Sequence, residues 1–239
     1  MAPSISDDLR IELITEAGDF QPAFICLRNA FGHQTHDGIW TAMNPGWDTP
    51  EGVARGAREL ADRWTASREK GDTQFLKATL AGPGGERIII GMAIWVHASL
   101  VPGHGEAIKP ADFTHLYPDN EPEERYLRQL LDSLFQQRLK TLREKARPES
   151  PQKSAMVMDL LAVDPAFQRR GAASQLAQWG LDEAQRRGGL EAITEASKMG
   201  RLVYKQLGFR EVQGIEYKVD EEFKERERPS NVFMRTGAA

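Results

Sequence analysis

The segment at residues 161–188, LAVDPAFQRRGAASQLAQWGLDEAQRRG, carries the side chains that best fit a chemical role. An apolar stretch ends in a proline turn, and QRRGAA at 168–173 then begins a helix without Ser, Thr, Asp or Asn at the expected cap. Such a start leaves backbone N–H groups free and carries partial positive charge. Gly171 and two alanines allow a phosphate to approach, and Arg169 and Arg170 add charge. The pattern predicts a diphosphate-binding turn; the alternative is an exposed basic turn before an ordinary helix.

Two common phosphate-binding loops do not match this turn, because it lacks the GK[ST] of a Walker loop and the three spaced glycines of a dinucleotide-binding loop. Over residues 155–212, however, the chain resembles the acetyl-CoA-binding core of the GNAT N-acetyltransferase superfamily. QRRGAA matches the signature Q/R-x-x-G-x-G/A, and EASKMGRLVYKQLGF at 195–209 ends in the family's Y-x-x-L-G-F. Together with MDLLAVDP at 158–165, these motifs resemble the fungal small-molecule acetyltransferases of that superfamily.

The resemblance implies that acetyl-CoA is the acyl donor and that no metal or redox cofactor takes part. The strand that ends at residues 161–163 would separate from its neighbour at a bulge and bond the pantetheine arm through its backbone. The diphosphate would lie on the amides of residues 169–174. Ser197 stands where the family often carries an asparagine that contacts the cofactor. The implied cofactor-binding residues are Leu161, Ala162, Val163, Gln168, Arg169, Arg170, Gly171, Ala172, Ala173, Ser174, Ser197 and Tyr204.

Three residues are candidates for the proton transfers of acyl transfer to an amine, which requires a neutral nucleophile and a proton for the departing thiolate. Tyr204 matches the family's usual acid position; alternatively, its ring packs beside Phe209. Glu195, expected next to the separated strands, is a candidate base, and the alternative is that it orders the loop or pairs with an arginine. Asp159 interrupts an apolar strand, where an unpaired carboxylate is costly, so it is either catalytic or a hydrogen-bonded scaffold residue.

The acceptor is expected to bind beside FGHQTHDGIWTAMNPGW, residues 31–47, because in the family the connection between the first two helices borders the acceptor pocket. Phe31, Trp40 and Trp47 suit a flat or apolar acceptor, and packing under a loop is the alternative. His97 ends a predicted core strand near the expected substrate entrance. A lone histidine there is more often structural than catalytic.

Alternating extended and helical patterns place these residues in an α/β fold, for which the resemblance implies a mixed, mostly antiparallel sheet flanked by helices. Strands are predicted at 10–16, 74–80, 87–97, 155–163, 190–197, 209–219 and 231–236. Helices are predicted from Asp19 and from Thr49, and at 123–145, 174–187 and 200–207. We expect one domain over residues 1–239, with a helical insertion at 102–151 and the acetyl-CoA-binding core at 155–212.

Composition narrows the function classes. The chain of 239 residues has a formal charge of −4 and a pI of about 5.8, so we expect no broad basic surface for nucleic acid or an anionic membrane. One cysteine, Cys26, and the lack of a signal pattern or long apolar run favour a cytoplasmic protein, monomeric or homodimeric. His33 and His36 have no apparent partner ligands, so no metal site is expected.

These patterns predict an enzyme that moves an acetyl group from acetyl-CoA to the amine of a small molecule by direct attack in a ternary complex. A peptide or protein N-acetyltransferase is the nearest alternative. A protein of the same fold that binds acyl-CoA as a sensor, without turnover, is a second alternative from a different class.

Replacing Gly171 with glutamate tests the predicted diphosphate-binding turn. Gly171→Glu places bulk and negative charge among the free amides, so we expect it to abolish acetyl-CoA affinity while leaving the fold largely intact. Calorimetric titration with acetyl-CoA measures the affinity, and circular dichroism measures the fold. Retained affinity in a folded variant would show that the diphosphate binds elsewhere.

Overall fold

A sheet of eight strands runs through the residues that the computed structural model describes, 8–107 and 113–237. Its strands are β1 (Arg10–Leu13), β2 (Thr73–Ala81), β3 (Arg87–Ser99), β4 (Glu106–Ala107), β5 (Ser154–Val163), β6 (Ala192–Ala196), β7 (Arg210–Gly214) and β8 (Val232–Arg235). They lie in the order β1-β2-β3-β5-β6-β8-β7, and β4 pairs with β3 outside this path. Only β5–β6 and β3–β4 are parallel within these ranges. The predicted mixed, mostly antiparallel sheet is confirmed.

Helices cover both faces of this sheet: α1 (Phe20–Leu27), α2 (Gly38–Met43), α3 (Pro50–Ser67), α4 (Glu121–Lys145), α5 (Ala172–Arg186) and α6 (Gly200–Gln206). Side chains cap the starts of α2, α3 and α4: Asp37 Oδ1 accepts from the Trp40 N–H at 2.9 Å, Thr49 Oγ1 from the Gly52 N–H at 3.1 Å and Asn120 Oδ1 from the Glu123 N–H at 3.5 Å. The start of α5 differs, because Gly171 at its N-cap has no side chain to accept a hydrogen bond.

Residues of β3 alternate between two apolar layers. Ile94 faces α1 and α3, where it packs in one cluster with Phe24 of α1. Trp95 faces α5, and its indole N–H donates to the Leu176 carbonyl at 3.2 Å. Because both faces of β3 are covered, the strand is apolar throughout its centre, and period-two alternation of polarity is absent from its sequence.

α4 packs against β5 and β6, and its side chains also hydrogen-bond to the chain that follows β7. The predicted strand at 209–219 is wrong in its second half, because the chain leaves the sheet after Gly214. Ser133 Oγ accepts from the Lys218 N–H and Gln129 Oε1 accepts from the Asp220 N–H, each at 3.0 Å. Side chains of α4 thus satisfy backbone groups that a continued strand would have paired.

The first predicted helix also changes character along its length. α1 ends at Leu27, and a π-helical segment, Arg28–Gln34, continues it. A π-helical turn contains more residues than an α-helical turn, yet Phe31 still packs against the apolar cluster that contains Phe24 and Leu27 of α1. The predictions that extend to residues 1–7, 108–112 and 238–239 lie outside the described residues.

Gly180→Ala tests how closely α5 approaches β3. Glycine to alanine inside a helix ordinarily gains about 1 kcal/mol. Here a Cβ would lie 1.9 Å from a ring atom of Trp95. Overpacking a filled core costs about 1–3 kcal/mol, and a contact this short takes the upper part of that range, so we expect a net loss of about 1–2 kcal/mol in the free energy of unfolding in urea.

Gly214→Ala provides the control, because a Cβ there meets no atom within 4 Å. We expect it to change the free energy of unfolding by less than about 0.5 kcal/mol. A Gly180→Ala protein as stable as this control would contradict the tight contact between α5 and Trp95.

Candidate active site

The sheet opens between β5 and β6. These two strands pair only from Met156 to Met158, and beyond Met158 no described strand pairs with β5 on that side. The Thr194 hydroxyl donates to the Met158 carbonyl at 3.0 Å where the pairing ends. A bulge lies at the same place, because Trp95 of β3 pairs with Met158 and Ile94 pairs with Leu160, which leaves Asp159 as the extra residue. The structure therefore has both the separation and the bulge that the family resemblance implied.

Arg138 of α4 bridges this opening. Its Nη1 lies 2.6 Å from Asp159 Oδ1 of β5. Its Nε lies 3.2 Å from Glu195 Oε1 of β6, and its Nη2 donates to Glu195 Oε2. Arg63 of α3 also pairs with Asp159, at 2.9 Å. Each separated strand thus contributes one carboxylate to the same guanidinium group.

The two carboxylates respond differently to this shared partner. Burial raises the pKa of Glu195, whose side chain is only 4% exposed, and Arg138 offsets this rise only in part. Burial also opposes ionisation of Asp159, but the charges of Arg63 and Arg138 outweigh it and hold the pKa of Asp159 far below its usual range. Asp159 therefore stays ionised, and Glu195 is the carboxylate nearer to accepting a proton.

Tyr204 of α6 lies at the same opening. Burial raises the pKa of its phenol above the usual range, so it keeps its proton at neutral pH. Within the described ranges, no side chain or backbone group hydrogen-bonds to its hydroxyl. Its ring lies 5.9 Å from that of Phe209, so the packing contact considered from the sequence exists as well.

A cavity of about 320 Å³ joins these groups to the expected acceptor region. Among its lining residues are Phe31, Asp37, Trp40, Phe135, Arg138, Asp159, Glu195, Ser197 and Tyr204. The lining also contains Leu160 and Leu161 of the separated strand. Fold alone therefore brings the proton-transfer candidates and part of the predicted aromatic set to one space.

Aromatic rings form one wall of the cavity. Phe31 and Trp40 stack with centroids 5.9 Å apart and an angle of 27° between their planes. Trp47, predicted to bind substrate, is outside the lining: it contacts the edge of Trp40 at 6.0 Å and lies against Gly32. Trp47 therefore packs against Trp40 and is not itself part of the cavity lining.

His97 lies away from the cavity, which corrects its expected placement near the substrate entrance. It pairs with Met156, where β5 and β6 are still joined. Its Nε2 lies 2.8 Å from Ser154 Oγ, and its Nδ1 lies 3.0 Å from Arg187 Nη1. Burial and the charge of Arg187 lower the pKa of His97, so the neutral imidazole is a fixed part of this hydrogen-bond group.

The turn at the start of α5 follows the separated strand directly. Gly171 has φ of 87° and Arg169 has φ of 66°, so the backbone turns twice through the left-handed region. In the described chain, the N–H groups of residues 171–174 have no hydrogen-bond acceptor, and the first paired one is that of Gln175, which donates to the Gly171 carbonyl at 3.0 Å. Gln168 Nε2 donates to the Val163 carbonyl at 3.0 Å and so fixes the turn to β5.

Ser197 has a structural contact in addition to its place in the lining. Its Oγ accepts from the Gly200 N–H at 3.2 Å, at the beginning of α6. The hydroxyl proton is left to donate into the cavity. Ser197 can therefore reproduce only part of what an asparagine amide would offer a ligand.

Arg138, Arg63 and Asp37 are site residues that the sequence reasoning missed. A signal for Arg138 was present, since it lies in register with Leu127, Leu131 and Leu142 on the apolar stripe of α4. A charged residue within such a stripe indicates a buried partner. The partners could not be named from sequence, because they lie 21 and 57 residues away.

Residues 8–107 and 113–237 contain neither a membrane-spanning helix nor a metal-ligand cluster. No helix there is both long and apolar enough to cross a membrane. No group of three His, Cys, Asp or Glu side chains is placed to hold a metal ion in that part of the chain. His33 instead packs edge-on to Trp47, with ring centroids 4.9 Å apart.

Arg138→Met tests the bridge between β5 and β6. Breaking a buried ion pair costs about 3–5 kcal/mol, so we expect a loss of that order in the free energy of unfolding near neutral pH. Without Arg138, the pKa values of Asp159 and Glu195 in the folded state rise, so the folded variant takes up more protons than the unaltered protein as the pH falls. This extra proton uptake stabilises the folded variant at lower pH. The loss should therefore shrink as the pH of the urea titration falls from about 7 towards 5.

Arg128→Met is the matched control, because Arg128 lies on the same helix in a partly exposed pair with Glu124. Its effect should stay below about 1 kcal/mol at both pH values. A loss in Arg138→Met that does not change with pH would contradict a bridge between two buried carboxylates.

Comparison with known proteins supports the fold. The family model described as an acetyltransferase (GNAT) domain matches residues 149–221. No curated protein matches the chain.

Three solved structures illustrate the fold. Arylalkylamine N-acetyltransferase 2 from Aedes aegypti is 19% identical, with a TM-score of 0.60 over 96% of this chain and 98% of that one. The polyamine N-acetyltransferase of Drosophila melanogaster is 14% identical, with a TM-score of 0.60 over 95% and 98%. A Corynebacterium glutamicum protein described as histone acetyltransferase HPA2 and related acetyltransferase is 17% identical, with a TM-score of 0.52 over 97% of each chain. The chain thus has the mixed α/β fold of the GNAT acetyltransferases.

Proposed function

We propose that this protein is an N-acetyltransferase that moves the acetyl group of acetyl-CoA to the amine of a small molecule. One observation carries the proposal: the separated part of β5 lines a cavity that contains both Glu195 and Tyr204, and the chain then runs into the uncapped start of α5. A donor, a proton acceptor and a proton donor would meet there without any rearrangement of the sheet.

The donor would bind along β5 and the turn that follows it. The backbone of residues 161–163, at the end of the separated strand, would bond the pantetheine arm, as the resemblance to the family implies. The free N–H groups at 171–174, extended by residues 168–170, would take the diphosphate, with charge supplied by Arg169 and Arg170. Ser197 would add one hydroxyl donor.

The chemical step uses the two proton carriers in the cavity. The neutral amine nitrogen attacks the thioester carbonyl carbon, so a C–N bond forms and the C–S bond breaks. Glu195 accepts the proton that the amine loses, and its raised pKa brings it closer to that role. Tyr204 gives its proton to the departing thiolate. We assign Asp159 to positioning: it stays ionised and orients Arg138, which holds Glu195.

The acceptor would be a small amine with an apolar part. The stacked rings of Phe31 and Trp40 offer a flat apolar wall, and Phe135 adds to it. Two of the similar structures, an arylalkylamine and a polyamine N-acetyltransferase, are named for acceptors that are small amines. The likeness to fungal enzymes, a cytoplasmic location and a monomeric or homodimeric state stay predictions.

Donor binding and thiol release test the proposed function. We expect calorimetry to detect acetyl-CoA binding, and a thiol-release assay over a panel of arylalkylamines and aliphatic amines to detect turnover. Failure to bind acetyl-CoA would contradict the proposal. Binding with no thiol release for any amine would favour a sensor in its place, and release only with peptides would favour a peptide N-acetyltransferase.

Tyr204→Phe tests the proton donor. Because general acids contribute about 10²–10⁴-fold, we expect kcat to fall by at least about 100-fold with unchanged acetyl-CoA affinity. Tyr126→Phe removes the same hydroxyl from a packing site on α4 and should leave kcat within about twofold of the unaltered protein. Equal turnover in the two variants would remove Tyr204 from the mechanism without affecting the assigned reaction.

A further inference from the structure

The cavity contains a carboxylate that the proposed chemistry does not use. Asp37 follows the π-helical segment and begins α2, and it lines the same cavity as Glu195 and Tyr204. Its Oδ1 accepts from the backbone N–H of Ile39 at 3.0 Å and of Trp40 at 2.9 Å. One oxygen of Asp37 is therefore occupied by the helix cap, and Oδ2 is left over.

No cationic side chain neutralises Asp37 within the described residues. The other carboxylates of the cavity differ in this respect: Asp159 and Glu195 pair with Arg138, and Glu59 pairs with Arg55. Burial raises the pKa of Asp37 against the effect of its two backbone hydrogen bonds, which is the expected response of a carboxylate that lacks a cation. A positive charge that entered the cavity would relieve this cost.

The surroundings of Asp37 also suit a cation. The indole of Trp40 and the ring of Phe31 stack on the same cavity wall, and aromatic faces attract ammonium groups. The phenol of Tyr217, which donates to Asn231 Oδ1 at 2.9 Å, interacts electrostatically with Asp37 and with the proposed base Glu195. Burial and the negative charges of both Asp37 and Glu195 raise the pKa of Tyr217, so both carboxylates act on one phenol. Both also line the same cavity of about 320 Å³, which is large enough for a small molecule.

We propose, on the basis of the proposed function, that Asp37 binds a second protonated nitrogen of the acceptor, so that the preferred acceptors are short α,ω-diamines. One nitrogen would lose its proton near Glu195 and attack the thioester. The other would stay protonated and pair with Asp37 Oδ2, over the face of Trp40. An aliphatic chain between the two nitrogens would lie against the aromatic wall.

Asp37→Asn tests this subsite without removing the helix cap, because asparagine caps a helix about as well as aspartate. The probes are 1,5-diaminopentane and pentylamine, which share chain length and differ by one charge. In the unaltered protein, calorimetry should show that the diamine binds at least about tenfold more tightly, as one charged hydrogen bond provides. In Asp37→Asn the two affinities should agree within about twofold, with thermal stability unchanged.

Asp48→Asn makes the same chemical change at an exposed position outside the cavity and should leave the diamine preference intact. Equal binding of both amines by the unaltered protein would overturn the inference, as would a preference that survives in Asp37→Asn. The thiol-release assay separates this result from the proposed function. If the preference is lost in Asp37→Asn but no amine is turned over, the cation subsite is supported and the proposed enzymatic activity is contradicted. If both amines are turned over with equal efficiency in every variant, the enzymatic activity is supported and the cation subsite is contradicted.

Discussion

One buried guanidinium group stabilises an opening that the sheet could not sustain alone. β5 and β6 separate after Met158, and each would expose a carboxylate to the interior, Asp159 on one strand and Glu195 on the other. Two like charges in a poorly solvated space repel each other, and each loses hydration. Arg138 contacts both at once through a planar set of donors that a lysine does not have. The position of α4 on the sheet, the separation of β5 from β6 and the ionisation of Glu195 all depend on this contact.

The π-helical segment connects the aromatic wall of the cavity to the chain that follows β5. Asn29 Nδ2 donates to Asp164 Oδ2 at 2.6 Å, just after β5, and Gln34 Nε2 donates to Gln168 Oε1 at 3.1 Å, in the turn before α5. Phe31 lies between these two contacts on the same segment. The aromatic wall on the acceptor side is therefore fixed to the turn proposed to hold the diphosphate, although the two are more than a hundred residues apart in the chain.

Burial affects the two proposed proton carriers in complementary ways. It raises the pKa of Tyr204 and so keeps a proton available on the phenol. It raises the pKa of Glu195 too, while Arg138 limits the rise, so this carboxylate remains able to release a proton after it accepts one. Asp159, held ionised by two arginines, supplies charge rather than protons. The two carboxylates are thus proposed to take different roles because Asp159 pairs with two arginines and Glu195 pairs with one.

The sequence by itself determined the features that depend on short-range physics. The uncapped start of α5 follows from six consecutive residues, because capping involves only neighbours along the chain. The central strands β3 and β5 follow from apolar runs, and the place of Tyr204 followed from a motif within a single strand–helix unit. Tertiary structure alone decided the partners of buried charges: that Arg138 joins Asp159 to Glu195, that Asp37 has no cationic partner in the described part of the chain, and that His97 belongs to a group with Arg187 outside the cavity. Burial and pairing depend on residues tens of positions apart, and no local pattern encodes which of them will meet.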